Sequence, residues 1–117
     1  MKTAVLRDNR DFQRLYRRGK KAVSGMFAVY CAKNPVCLAR VGITTGKKLG
    51  GAVVRNRARR QVREIVRLSA ERLLPGNDVV VVVRHGALAR AWADQRADLL
   101  RLFALVGALD GVEEAKR

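Results

Sequence analysis

Acidic residues are scarce: 10 Asp and Glu against 25 Lys and Arg, for a formal charge of +15 on 117 residues. A chain so unbalanced repels itself, and that repulsion opposes compaction; a polyanionic partner is the simplest compensation. There is a single histidine, His85. It has no evident partner for a two-histidine acid/base pair, and it reads as a loop residue at a strand end. The few acids are scattered, with no carboxylate cluster of the kind that holds two metal ions. No catalytic residue and no metal site is therefore expected. Only two cysteines occur, Cys31 and Cys37. Their spacing, with no histidines nearby, suits neither a zinc site nor a disulfide framework. They read as reduced thiols packed in or near a sheet. Long apolar runs are missing too. Val79–Val83 is a strand's worth, far short of the ~20 residues a spanning helix needs. The start, Met1–Val5, leads into Arg7-Asp8-Asn9-Arg10 without an apolar stretch, so no secretory signal and no membrane contact are expected. A cytoplasmic protein is the expectation. Repeats, linkers and low-complexity tracts are lacking, and one domain over 1–117 is expected, with a polar tail at about 112–117.

What is present is an apolar half, 49% of residues, enough to fold one small core. Asp8 or Asn9 can cap a helix reaching Arg18, with Gly19 as its stop. Lys20–Val23, Met26–Cys31 and Ala39–Thr45 read as strands. In the second of these, Phe27, Val29 and Cys31 share one side, and Met26, Ala28 and Tyr30 share the other. Gly50-Gly51 opens a long helix, about Ala52–Leu73, closed by Pro75-Gly76. Asp78–Arg84 is apolar without alternation, which suits a central strand covered on both faces. A last helix spans about Leu88–Ala108, with Trp92, Leu99, Phe103 and Val106 as its core stripe. The order α-β-β-β-α-β-α implies an α/β two-layer sandwich with helices on a small mixed sheet.

The long helix carries the chemistry. Projected at about 100° per residue, Val54, Ala58, Val62, Ile65, Ser69 and Leu73 fall in one arc. Asn56, Arg59, Arg60, Arg63 and Arg67 fall roughly opposite, flanked by Arg55 and Arg57. From Lys47 to Arg63 there are seven basic residues and no acid. A solvated helix face normally mixes signs, because like charges at i,i+4 destabilise it. Here Arg55–Arg59, Arg59–Arg63 and Arg63–Arg67 are all like pairs. Phosphates between the guanidiniums relieve that repulsion, and the planar guanidinium fork can hold a phosphate bidentately. Lys47, Lys48 and the glycines ahead of the helix add a small anion-attracting element. Aromatics make a separate group: Phe12 and Tyr16 on the first helix and Tyr30 on the strand, beside Ala28. Such rings can stack unpaired bases. RNA binding is the reading these features favour. A structural RNA-binding protein, such as a ribosomal component, fits the same composition. A DNA-binding module using the long helix lacks a helix-turn-helix partner.

The run Lys47-Lys48-Leu49-Gly50-Gly51-Ala52-Val53-Val54-Arg55-Asn56-Arg57-Ala58-Arg59-Arg60, followed by Arg63-Glu64, resembles the hallmark segment of the bacterial ribonuclease P protein family. Asp11-Phe12, Phe27–Tyr30 and Arg40-Val41-Gly42-Ile43 are similar to the family as well, so the likeness covers nearly the whole chain. Arg59 departs by replacing the usual Lys, Val66 by replacing a common Phe, and Ala28 by being small. The resemblance implies a left-handed βαβ crossover through the long helix, as in the second domain of a small-subunit ribosomal protein. It implies that the protein serves removal of the 5′ leader from precursor tRNA. The RNA subunit would be the catalyst and hold the Mg²⁺ ions; the protein alone would not cleave. One ribonuclease P RNA is the implied partner, held by Lys47, Lys48, Arg55, Asn56, Arg57, Arg59, Arg60, Arg63 and Arg67. The precursor-tRNA leader would lie in a cleft of Phe12, Tyr16, Ala28 and Tyr30. No obligate protein partner is implied.

Overall fold

The computed structural model describes residues 3–109, and the tail expected at 112–117 lies outside them. The elements are β1 (Thr3–Val5), α1 (Asn9–Arg18), β2 (Lys20–Val23), β3 (Phe27–Lys33), β4 (Ala39–Thr44), α2 (Ala52–Leu68), β5 (Asn77–Val83) and α3 (Trp92–Leu105). The expected order is found, preceded by one strand that the sequence did not reveal. Three residues are too few to show alternation; β1 exists because β4 offers it a parallel edge, Thr3 opposite Ala39 and Val5 opposite Val41.

The sheet order is β1-β4-β5-β3-β2. β4 runs parallel to β1 and β5, while β3 is antiparallel to β5 and β2 to β3. β5 is central, which explains its unbroken apolar run: both its faces are covered, and Val79, Val80, Val81 and Val83 are buried. Strand parity separates two cores. Phe27, Val29, Cys31, Val41, Val79 and Val81 pack with Val62 and Ile65 of α2 and Leu99, Leu102 and Phe103 of α3. On the other face Val80, Tyr30 and Val82 meet Leu6 and, from α1, Phe12 and Leu15. The sheet and the α2–α3 pair are the layers of the sandwich, and α1 lies across part of the opposite face. Each fully buried aliphatic or aromatic side chain stabilises the fold by about 1.5–3 kcal/mol.

Local chemistry sets the helix ends. The Asp8 carboxylate accepts the Arg10 N–H at 2.9 Å, capping α1. Gly19 ends it with an ordinary φ of −74°, so no left-handed turn is involved. Glycine is needed there for space: a Cβ would stand 2.7 Å from the Leu15 carbonyl oxygen and 3.0 Å from that of Cys31. α2 ends at Leu68, not Leu73, and Ala70–Arg72 tighten into a 3₁₀ turn. The chain has to turn here because Leu73 bridges Leu109 and Leu74 N–H donates to Ala108 O. Of the expected inner row, Ala58, Val62, Ile65, Ser69 and Leu73 are buried. Val54, in the first turn of the helix, is exposed instead, and Val66 takes an inner place. α3 begins at Trp92, not Leu88, after a 3₁₀ turn at His85–Ala87. The buried Gln95 amide donates to the carbonyls of Ala87 and Arg90, which holds the preceding loop out of helical register. Leu99, Phe103 and Val106 form the core stripe, with Trp92 only partly buried.

Candidate RNA interface

The basic segment comes off the sheet at the end of β4. Lys47 and Lys48 sit exposed on a 3₁₀ turn, Lys47–Leu49. Gly50 then takes φ +149°, a conformation that L side chains rarely adopt, and Gly51 caps α2. On α2, Asn56, Arg57, Arg60, Arg63 and Arg67 are exposed, while Arg55 and Arg59 are half-buried. Arg59 is held from two sides: Nη2 donates to Thr45 Oγ1 at 2.6 Å and Nη1 to Asn56 Oδ1 at 2.9 Å. Both acceptors are neutral, so the guanidinium is oriented without losing its charge. Arg67 pairs with Glu64 at 2.6 Å, and the hydrogen bond from Arg67 holds the Glu64 carboxyl below the ordinary range. That pair is exposed and adds little to stability. Arg55 Nε is buried with no hydrogen-bond partner among the described residues, unusual for a polar atom inside a fold. The like-charge repulsion expected along α2 is therefore only partly relieved within the protein.

A buried carboxylate fixes the opposite face. Asp78, fully buried on β5, accepts from Arg40 Nε at 2.7 Å and Nη2 at 2.8 Å, from Arg14 Nη2 at 2.6 Å and from Asn34 Nδ2 at 2.8 Å. Burial pushes its pKa up, but the hydrogen bonds from Arg40, Asn34 and Arg14 outweigh burial and hold it below the ordinary carboxylate value. Asp11 adds a 3.3 Å contact to Arg14. The cluster ties α1 to β4 and β5, and so fixes the wall of a cleft.

Register shows what that wall covers. Lys21, Tyr30, Val80 and Gly42 form one row across the sheet. Phe12 packs on Gly42, and Tyr16 meets Tyr30 edge-on at 5.0 Å between centroids, with Phe12 6.5 Å from Tyr16. Lys21 Nζ lies 5.6 Å from the centre of the Tyr30 ring, close enough for cation–π attraction. The next row is Val23, Ala28, Val82 and Thr44. Val23 is exposed and Val82 and Thr44 are half-buried, whereas Ala28 is only 8% exposed. The structure thus brings Phe12, Tyr16 and Tyr30 together and places Ala28 beside them, nearly covered. Lys21 was missed from sequence; only the strand register, which sets it opposite Tyr30, reveals it. Aromatic cleft and arginine helix lie on opposite faces of the sheet.

Cys31 is buried and Cys37 exposed, both free; burial pushes the Cys31 thiol pKa up. His85 begins the 3₁₀ turn after β5. Among the described residues no three His, Cys, Asp or Glu side chains are grouped to share a metal ion, and no helix is long and apolar enough to cross a membrane.

A mixed α/β sheet with an arginine helix on one face and a lysine-flanked aromatic cleft on the other defines an RNA-binding protein. The chain belongs to the ribonuclease P protein family: the family model described as Ribonuclease P matches residues 1–106. The ribonuclease P protein component of Roseiflexus castenholzii is 41% identical over 107 residues, covering 91% of this chain and 88% of the relative. The Staphylococcus aureus RNase P protein superposes with a TM-score of 0.83 at 29% identity, covering 91% of this chain and 97% of that one. The Thermotoga maritima RNase P protein gives a TM-score of 0.76 at 34% identity, covering 83% and 92%. Membership makes this chain a protein component of the ribonucleoprotein that processes tRNA, with RNA as its partner.

Proposed function

We propose that α2 grips the catalytic RNA of ribonuclease P while the cleft between α1 and the sheet holds the single-stranded 5′ leader of precursor tRNA. The observation that carries this division is the placement of the two surfaces on opposite faces of one sheet. Lys47, Lys48, Arg55, Asn56, Arg57, Arg59, Arg60, Arg63 and Arg67 supply phosphate contacts, which fix position without reading sequence. Tyr16 and Tyr30 offer ring faces and edges to unpaired bases, with Phe12 and Ala28 shaping the cleft and Lys21 placed to neutralise a leader phosphate. The protein's part is to hold leader and ribozyme in one geometry. The Mg²⁺ ions of hydrolysis belong to the RNA subunit in this reading, in a complex of one protein and one RNA in the cytoplasm. Photo-crosslinking tests the division. A crosslinker at position 60 is expected to reach the catalytic RNA, and one at position 16 the leader. Crosslinks from both positions to the same RNA region would overturn it.

A further inference from the structure

A groove of about 630 Å³ runs between the edge strand β1 and the outer side of α2. Its apolar lining includes Val5, Ile43 and Val66, together with Phe12, which it shares with the aromatic cleft, and its polar lining includes Arg59, Arg63 and Arg67. No acid lines it. Val5 is 63% exposed, an apolar side chain left open beside guanidiniums. Arg59 is held in place by neutral acceptors, and Arg63 has no hydrogen-bonding or ionic partner among the described residues. The volume lies within the roughly 300–1,000 Å³ of small-ligand sites.

We propose that this groove seats one unpaired nucleotide of the catalytic RNA, its base against Val5, Ile43 and Val66 and its phosphates on Arg59 and Arg63. The inference rests on the reading that α2 binds that RNA. Apolar surface beside Arg59 and Arg63, which have no acidic partner among the described residues, matches a flat, weakly polar base joined to an anion. Residues 59 and 63 are one turn apart, about 5–6 Å between Cβ atoms, so both reach into the same short hollow. The groove is also continuous with the exposed arginines of α2, so an RNA strand lying there can turn a base inward. Only an unpaired nucleotide can do so, because the face of a base in a duplex is already stacked.

The test measures binding of the full chain to a bacterial ribonuclease P RNA across a salt series, for wild type, Val5→Ser and Arg63→Ala. Arg63→Ala is expected to weaken binding and flatten the log–log salt slope by about 0.7–0.9. Val5→Ser is expected to weaken it about fivefold with the slope unchanged, since only apolar contact is lost. Chemical probing of the bound RNA is expected to show one nucleotide protected by wild type and reactive with Val5→Ser. Val5→Thr, which keeps strand propensity and shape, gives an intermediate loss and guards against a folding defect. Undiminished binding by Val5→Ser and Val5→Thr, with Arg63→Ala still weakened, would overturn the groove and leave the α2 reading intact. No effect of any variant would overturn both. Val5-dependent displacement of the RNA by a hexaglutamate peptide would overturn it in favour of an acidic chain.

Discussion

Phe12 of α1 packs on Gly42 of β4 so closely that a Cβ at position 42 would stand 2.6 Å from Phe12 Cε1. Glycine inside a strand usually weakens it, but here it lets a ring approach the backbone. Gly42→Ala is therefore expected to push Phe12 outward, lowering stability by about 1–3 kcal/mol and distorting the cleft. Urea denaturation and leader binding measure the two effects. A variant as stable as wild type with unchanged leader affinity would show that the close approach has no role.

Acid is expected to destabilise the protein through Asp78. Its folded pKa is lowered, so the carboxylate favours the folded state. That contribution is complete above the unfolded value of about 3.9 and is lost as pH falls through it and then through the lower folded value. Asp78→Asn is expected to lower stability at neutral pH and to flatten its fall below about pH 5. The loss for Asp78→Ala is expected near 2 kcal/mol, under the roughly 3–5 of fully buried pairs, because Arg14 and Arg40 retain water access. Urea midpoints from pH 7 to 2 decide it; parallel curves for wild type and Asp78→Asn would contradict it.

Tyr30→Ala removes the centre of the aromatic group. It is expected to weaken binding of leader-bearing precursor by about 1–3 kcal/mol, with mature tRNA much less affected. Equal losses on both would favour a purely structural RNA-binding role.

On α2, Arg57→Ala and Arg60→Ala remove exposed guanidiniums that have no acidic partner among the described residues. Each is expected to weaken binding to the catalytic RNA and reduce the salt slope by about 0.7–0.9. Weaker binding at an unchanged slope would argue against phosphate contact.

Much of this was legible in the sequence because it is local. A helix cap at Asp8 or Asn9, the alternation of Phe27–Cys31 and the acid-free run from Lys47 to Arg63 each show themselves within a few residues. Boundaries were less legible where tertiary contacts decide them. α2 stops at Leu68 because Leu73 must meet Leu109, and β1 exists only as an addition to β4. The cluster around Asp78 was hidden by distance: Arg40 lies 38 residues away and Arg14 64. Lys21 became visible beside Tyr30, and the groove beside Arg63, only once β2 and β1 had their registers.

As a protein component of ribonuclease P, this chain acts together with RNA. Reconstitution with a bacterial ribonuclease P RNA at low Mg²⁺, measuring precursor-tRNA cleavage, tests it most directly. The expected result is faster cleavage with protein and RNA together than with RNA alone, larger for leader-bearing substrate, and no cleavage by protein alone. Cleavage and leader affinity unchanged by the protein would contradict it.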